Sequence, residues 1–412
     1  MTNLLNVLMM SPGFPAEMPF FTRGLARVGA NAIGIGDQPQ SALPELARES
    51  LSAYFQVFSF TDEDAIFRQV EAIHQKARLD RIECLWEPFM ILAAKLREHL
   101  GLPGMTVEET IPFRDKEVMK KRLDEAGIRT PRHASVTTVD GCRKAAAAIG
   151  FPERSIVVKP IAGAGAADTY HLRTADELEA VLPALGHVPE VSVEEFIDGD
   201  DYTYETICIN GKIEHFSISF YRPRALQART HEWVSPQTVV VRRVEDEALR
   251  SGCEMGEAVI KVLNFRTGFT HMEWFKTFLG EAVFGEIAAR PPGAHLVGLI
   301  NYASDIDVFT GWAEAICHGR FTQAVDRKYN AAWIYKRAEG EGVIYKIDGL
   351  APLMAELGEH VLLLDLLPIG APRRNWKQTL VSDGMIIVRH PDLERTLEIA
   401  DRFATELRIY AH

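Results

Sequence analysis

The chain has 412 residues, 47% of them hydrophobic and 25% charged, which implies several globular domains with real cores and excludes both disorder and a disulfide-stapled miniprotein. Lysine and arginine number 45 against 57 acids, a net charge of −12, which excludes a protein whose main partner is a nucleic-acid backbone. Cys84, Cys142, Cys208, Cys253 and Cys317 form no CxxC unit, no basic residue precedes Arg23, and no apolar run approaches the roughly 18 residues of a membrane span. A reducing cytoplasm, with neither export nor membrane insertion, is expected.

The apolar run Leu4 to Met10, ended by Ser11-Pro12-Gly13, predicts a buried strand leading to a helix over Phe20 to Val28 that Gly29 closes. Ala32 to Gly36 and Ile82 to Trp86 read as strands, Asp64 to Lys76 and Phe89 to Leu100 as helices. This alternation predicts a parallel, helix-covered sheet over residues 1–112. Asp115 is placed to cap a helix carrying Met119, Leu123 and Ala126, stopped at Gly127. Ser155 to Lys159 is a β-branched strand held extended by Pro160, followed by the small-residue loop Ile161 to Ala167. Val191 to Ile197 is another strand. Tyr202 to Ile209 and Lys212 to Phe220 flank Asn210-Gly211, a type I′ hairpin signal. A loop with Arg222, Arg224 and Arg229, a helix near Ala248 to Leu263 and a second hairpin, Thr267 to Phe275 and Glu281 to Ala288, follow. The tail has strand-like runs at Ala332 to Lys336, Val343 to Ile347, Val361 to Leu367 and Met385 to Val388, then a helix over Asp392 to Leu407.

The second hairpin carries the most informative geometry. A turn centred between Leu279 and Gly280 puts Glu273 opposite Glu286 on one sheet face, with Cβ atoms about 5 Å apart. Two carboxylates so close call for a proton or a cation between them, and hard oxygen ligands suit magnesium whose shell substrate phosphates complete. An exposed acidic pair is the plain alternative. Arg290 stands four residues beyond Glu286, where the strand meets Pro291-Pro292-Gly293; a guanidinium there would neutralise a phosphoryl group or clamp a carboxylate. No GxxxxGK[ST] and no GxGxxG follows a strand, so neither a P-loop nor the usual dinucleotide fingerprint is present.

Taken in order, Lys116, Ala126-Gly127-Ile128-Arg129-Thr130-Pro131, Val157-Val158-Lys159-Pro160, the small-residue loop, Glu194-Glu195-Phe196-Ile197-Asp198-Gly199, Glu273 and Glu286-Ile287-Ala288-Ala289-Arg290 resemble the ATP-grasp superfamily of carboxylate-amine ligases over roughly residues 1–320. The resemblance implies an α/β (α+β) fold with four parts: a Rossmann-like parallel-sheet domain over 1–112, a small subdomain with the ATP lid over 113–192, a mostly antiparallel catalytic lobe over 193–320, and a C-terminal extension over 321–412. It implies that Lys116 and Lys159 contact ATP, that Gly163, Ala164, Gly165 and Ala166 cover the phosphates, that Glu194, Glu195, Phe196 and Ile197 carry the backbone that reads the adenine edge, and that Asp201 binds ribose. Glu273 and Glu286 would hold Mg2+ or Mn2+, and Arg290 the phosphate or acyl phosphate. Many members read E-x-N where this chain has Glu286-Ile287-Ala288, so a metal-shell amide oxygen is missing and weaker metal binding is expected.

Within the superfamily, the segment Glu286 to Ala294 and Trp86-Glu87-Pro88 before Leu100 to Gly104 are most similar to the bacterial L-amino acid ligases of bacilysin and tabtoxin type. That likeness implies ATP-dependent dipeptide formation through an acyl phosphate. Trp86, Glu87, Gly293 and His295 would face the amino acid pocket, Glu87 orienting or deprotonating the incoming amine, and His231 would reach a phosphate. Amino acids are the expected partners, a homodimer being left open. A non-ligase ATP-binding protein and a biotin-carboxylase-like enzyme that phosphorylates bicarbonate are the alternatives.

Overall fold

The structure, a computed structural model, describes residues 4–161, 169–379 and 382–412. Strands β1 (Asn6–Met10), β2 (Asn31–Gly36), β3 (Ala53–Gln56) and β4 (Arg81–Glu83) form a parallel sheet in the order β3-β2-β1-β4. β1 is apolar from Val7 to Met10 because both its faces are covered there. Leu8 and Met10 meet Ile66, Val70 and Leu96 of two helices, while Val7 and Met9 pack with Phe21 and Leu25. β3 and the helix Glu45–Ser50 escape sequence reading because they are short and β3 is only half-buried, which leaves little periodicity.

A four-stranded antiparallel sheet follows, β5 (His133–Val136), β6 (Ile156–Pro160), β7 (Tyr170–Leu172) and β8 (Val191–Glu195), in the order β5-β8-β6-β7. Two helices absent from the sequence reading, Val139–Ile149 and Ala175–Val181, bury Cys142, Ala146, Ile149 and Leu178 on it.

The largest element is an eight-stranded antiparallel sheet in the order β13-β12-β9-β10-β11-β14-β18-β17. Its strands are β9 (Gly199–Ile209), β10 (Lys212–Arg222), β11 (Gln237–Val240), β12 (Gly268–Thr277), β13 (Ala282–Ala288), β14 (Asn330–Lys336), β17 (Val361–Leu366) and β18 (Gly384–His390); β15 (Glu339–Gly340), β16 (Ile344–Asp348) and β19 (Arg408–Ala411) form a small sheet beside it. The strands beyond residue 320 thus continue the sheet of the preceding lobe. Asn210 and Gly211 both have positive φ, as the type I′ turn requires.

Strand alternation sorts the large sheet into two faces. Tyr204, Met272 and Trp274 face the helix Arg250–Val262, which lies so close that a Cβ on Gly252 would fall 2.2 Å from the Trp274 ring. On the opposite face Ile207, Phe269, Trp333 and Tyr335 pack against the helices Leu296–Ser304 and Val308–His318. Glu273 shares that second face, at the end nearest β13.

Candidate active site

Glu273 does pair with Glu286, but the route differs from the simple hairpin. The loop is centred on Leu279, with Gly280 left-handed, so near the turn Lys276 pairs with Ala282 and Trp274 with Phe284. Continued without interruption, that register would set Glu273 opposite Gly285 and turn Glu286 to the other face. A β-bulge at Gly285 adds one residue and restores the Glu273–Glu286 pair. Phe284 and Ile287, three apart, consequently share one core. Only glycine fits the bulge, since a Cβ at 285 would lie 2.8 Å from the Glu273 carbonyl oxygen.

A cleft between β5–β8 and the large sheet is lined by Lys116, Lys159, Glu194, Glu195, Phe196, Ile197, Asp201, Glu273 and Glu286. Asp115 caps the helix Lys116–Glu125 by accepting from the Glu117 and Val118 amides, which aims the first side chain into the cleft. Lys116 Nζ lies 3.2 Å from Glu286 Oε2. Lys159, at the end of β6, lies 3.0 Å from Glu194 Oε2. Lys120, one turn beyond Lys116 and fully buried, binds the other Glu194 oxygen. Burial alone would raise the Glu194 pKa, yet the two ammoniums hold its carboxyl well below the usual range. Burial likewise opposes, and Lys116 with Lys159 overrides, at Glu286, whose pKa is lowered. Lys120 was missed in sequence; its spacing of four from Lys116 on a helix was the available signal.

The edge expected to read adenine is partly engaged within the protein. Glu195 pairs with Arg129 at 3.1 Å, and Phe196 stacks on His171 with ring centroids 3.7 Å apart. Arg224 donates to the Ile197 carbonyl at 2.8 Å and, through Nε, to Asp201 at 2.8 Å, while the Ala225 amide takes the second Asp201 oxygen at 3.0 Å. Asp201, expected on ribose, therefore has both oxygens occupied, because the Arg-rich segment folds back over β9 as the helix Ala225–Thr230. Gly163, Ala164, Gly165 and Ala166 lie outside the described residues.

A second, smaller chamber shares Lys116 and Glu286 with the cleft and adds Glu87, Arg114, His271 and Arg290. Arg290 donates from Nε and Nη2 to Glu87 Oε2 at 2.7 and 2.6 Å, and Arg114 binds the other Glu87 oxygen. Glu87 is thus a bridge between two guanidiniums, which anchors its carboxylate through both oxygens. Trp86 does not line the chamber; its half-buried ring packs edge-on against Phe14 at 5.1 Å and Phe89 at 4.8 Å. His231 ends the helix Ala225–Thr230, donates from Nδ1 to the Gln227 carbonyl at 3.1 Å, and lines a wider outer groove that includes neither Glu273 nor Glu286. His295, left-handed at the start of the helix Leu296–Ser304, stacks on Trp333 at 5.3 Å, and burial lowers its pKa. The turn at Gly293, whose carbonyl accepts from Leu296, leads into that helix, so these two residues follow the apolar packing and not the charged chamber.

Also unforeseen is His271, on the Glu273 face of β12. Its Nδ1 lies 2.9 Å from Glu205 and its Nε2 3.5 Å from Glu273. Burial lowers its pKa, but hydrogen bonds to the two carboxylates prevail and push it up to about 9. Among the described residues no group of three or more His, Cys, Asp or Glu is arranged to hold a metal. The two facing glutamates fit a divalent ion that takes its remaining ligands from phosphate and water, as magnesium does.

Residues 27–104 match a family model described as the ATP-grasp N-terminal domain, and residues 113–229 one described as the ATP-grasp domain. An L-arginine-specific L-amino acid ligase of Bacillus subtilis is 23% identical over 313 residues, 74% of each chain. An alanine–anticapsin ligase of the same species is 25% identical over 280 residues, 63% of this chain and 58% of that longer protein. The crystal structure of an L-amino acid ligase from Bacillus licheniformis superposes with a TM-score of 0.79 over the full length of both chains at 20% identity.

Proposed function

Since the chain belongs to the ATP-grasp superfamily of carboxylate-amine ligases, we propose that it joins two amino acids into a dipeptide at the expense of ATP, through an acyl phosphate. The observation that carries this reading is the juxtaposition of the Glu273–Glu286 pair and Lys116 with the Arg290–Glu87–Arg114 chamber. One side suits nucleotide phosphates and the other a carboxylate. The likeness to two amino acid ligases supports the choice of substrates.

In this account Glu273 and Glu286 would hold the divalent ion, and Lys116, which lies beside Glu286, would add positive charge toward the phosphates. When bound, magnesium neutralises phosphate oxygens and orients the γ-phosphoryl group for in-line transfer. Lys159 adds positive charge to the nucleotide side while Lys120 keeps Glu194 ionised beside it. Arg290 presents a planar fork to the acid substrate, with Glu87 and Arg114 fixing the plane of that fork. The substrate carboxylate oxygen attacks the γ-phosphorus and ADP leaves. The free amine of the second amino acid then attacks the acyl carbon, the ammonium having lost its proton, and phosphate is expelled. Exclusion of water lets the amine compete with hydrolysis.

Phosphate release from MgATP across a matrix of amino acid pairs, with product masses read in parallel, tests this. Release that requires two amino acids, with a dipeptide mass, is expected. Release driven by bicarbonate alone, or equal release across all pairs, would overturn it.

A further inference from the structure

One stretch of the large sheet is polar where its fold asks for a core. β9 and β12 pair Glu205 with His271 and Thr203 with Glu273, and β10 sets Ser217 opposite Glu205. Glu205 is 1% exposed and His271 8%. Immediately along the same face lie Ile207 and Phe269, which are wholly apolar neighbours in the core. Burying a carboxylate and an imidazole is unfavourable by several kcal/mol unless they are paired, and an apolar pair of similar volume is usually at least as stable. Stability alone therefore does not explain these two residues.

Their geometry does. A carboxylate oxygen only accepts, so the Nδ1 that lies 2.9 Å from Glu205 Oε1 carries the proton, which fixes the ring and turns Nε2 toward Glu273 Oε1 at 3.5 Å. Ser217 Oγ donates to the other Glu205 oxygen at 3.3 Å, holding the carboxylate from behind. Among the described residues His271 is the only ionic partner of Glu205. Glu273 is half-exposed on the cleft wall and has no arginine or lysine ion pair among the described residues, whereas Glu286 has Lys116 and Glu194 has Lys120 and Lys159.

We propose that Glu205 and His271 are positioning residues: a buried Ser217–Glu205–His271 relay that sets the orientation of the Glu273 carboxylate and thereby the affinity of the site for its divalent ion. This rests on the reading of Glu273 as a metal ligand. Supporting partners of a ligand commonly govern metal affinity by about tenfold or more without touching the metal.

The test is Mn2+ binding in the presence of a non-hydrolysable ATP analogue, read as loss of the free-ion paramagnetic resonance signal, together with the Mg2+ dependence of turnover. Glu205→Gln and His271→Gln should each raise the Mn2+ concentration for half-saturation about tenfold, with ATP KM at saturating metal little changed; His271→Gln should also lower the melting temperature, because it leaves the buried Glu205 without its ionic partner. The double variant should be no weaker than His271→Gln, because both act through one contact. Ser217→Ala, which removes no charge, should shift binding in the same direction by about threefold, and serves if Glu205→Gln does not fold. Glu273→Gln is the reference. If it binds Mn2+ like the unaltered protein, the metal assignment itself falls; if it loses Mn2+ while the Glu205, His271 and Ser217 variants bind normally, the relay alone is refuted.

Discussion

One row of side chains crosses the large sheet from β13 to β14 and changes character on the way: Glu286, Glu273, Thr203, Ser219, Val240, Ala331. At the β14 end the neighbouring inward positions are Trp333 and Tyr335, sealed by the helix Leu296–Ser304. At the β13 end the inward positions are charged and open on a cleft. The strands pair antiparallel throughout, so the contrast shows that the fold tolerates either filling. A polar filling needs partners for every group, and those partners converge on the site.

The contrast can be broken from either end. Glu286→Ala should abolish turnover, a loss of at least about a thousandfold or ~4 kcal/mol of transition-state stabilisation, while the circular dichroism melt stays within a few degrees. Trp333→Ala at the apolar end should do the reverse. It should cost about 3–4 kcal/mol of stability in denaturant titration, and the folded fraction should keep the metal requirement of the unaltered protein. Gly285→Ala sharpens the comparison because it changes no charge. Its Cβ meets the Glu273 carbonyl, so about 1–3 kcal/mol of destabilisation should accompany a raised metal requirement as the bulge shifts.

A buried acid at the apolar end yields the smallest effect. Burial raises the Glu17 pKa from 4.5 to about 8, outweighing the lowering effect of the nearby backbone amides of Gly298, Val297 and His295. A carboxyl with a raised folded pKa favours the folded state when protonated. Its contribution is therefore complete below pH 4.5 and is lost progressively as pH climbs to about 8. Melting curves for Glu17→Gln should show a flatter pH dependence across that window than the unaltered chain. Parallel curves would mean that Glu17 titrates normally.

Much of this architecture was legible in the sequence because it follows from local rules. Asp115 caps its helix, Asn210-Gly211 makes its turn, and the run Leu8 to Met10 is buried on both faces as its composition suggests. The Glu273–Glu286 pair was also legible, though its sequence derivation placed the turn half a residue off and did not foresee the Gly285 bulge; the two departures cancel. Arg114 and the His271–Glu205 contact were not legible, since each becomes meaningful only when strands or helices distant in sequence are placed side by side, and Lys120 offered only its spacing of four from Lys116. Asp201 and His231 depart from the sequence reading for one reason. The segment that follows β10 folds into a short helix, bringing Arg224 onto Asp201 and carrying His231 outward.

The central claim is that a substrate carboxylate takes the γ-phosphoryl group of ATP before the amine arrives. Turnover with amino acids labelled with 18O in the carboxylate tests it most directly, by the mass of the phosphate released. The account predicts that the phosphate carries one oxygen from the labelled acid. Phosphate of unlabelled mass, formed alongside dipeptide, would contradict it.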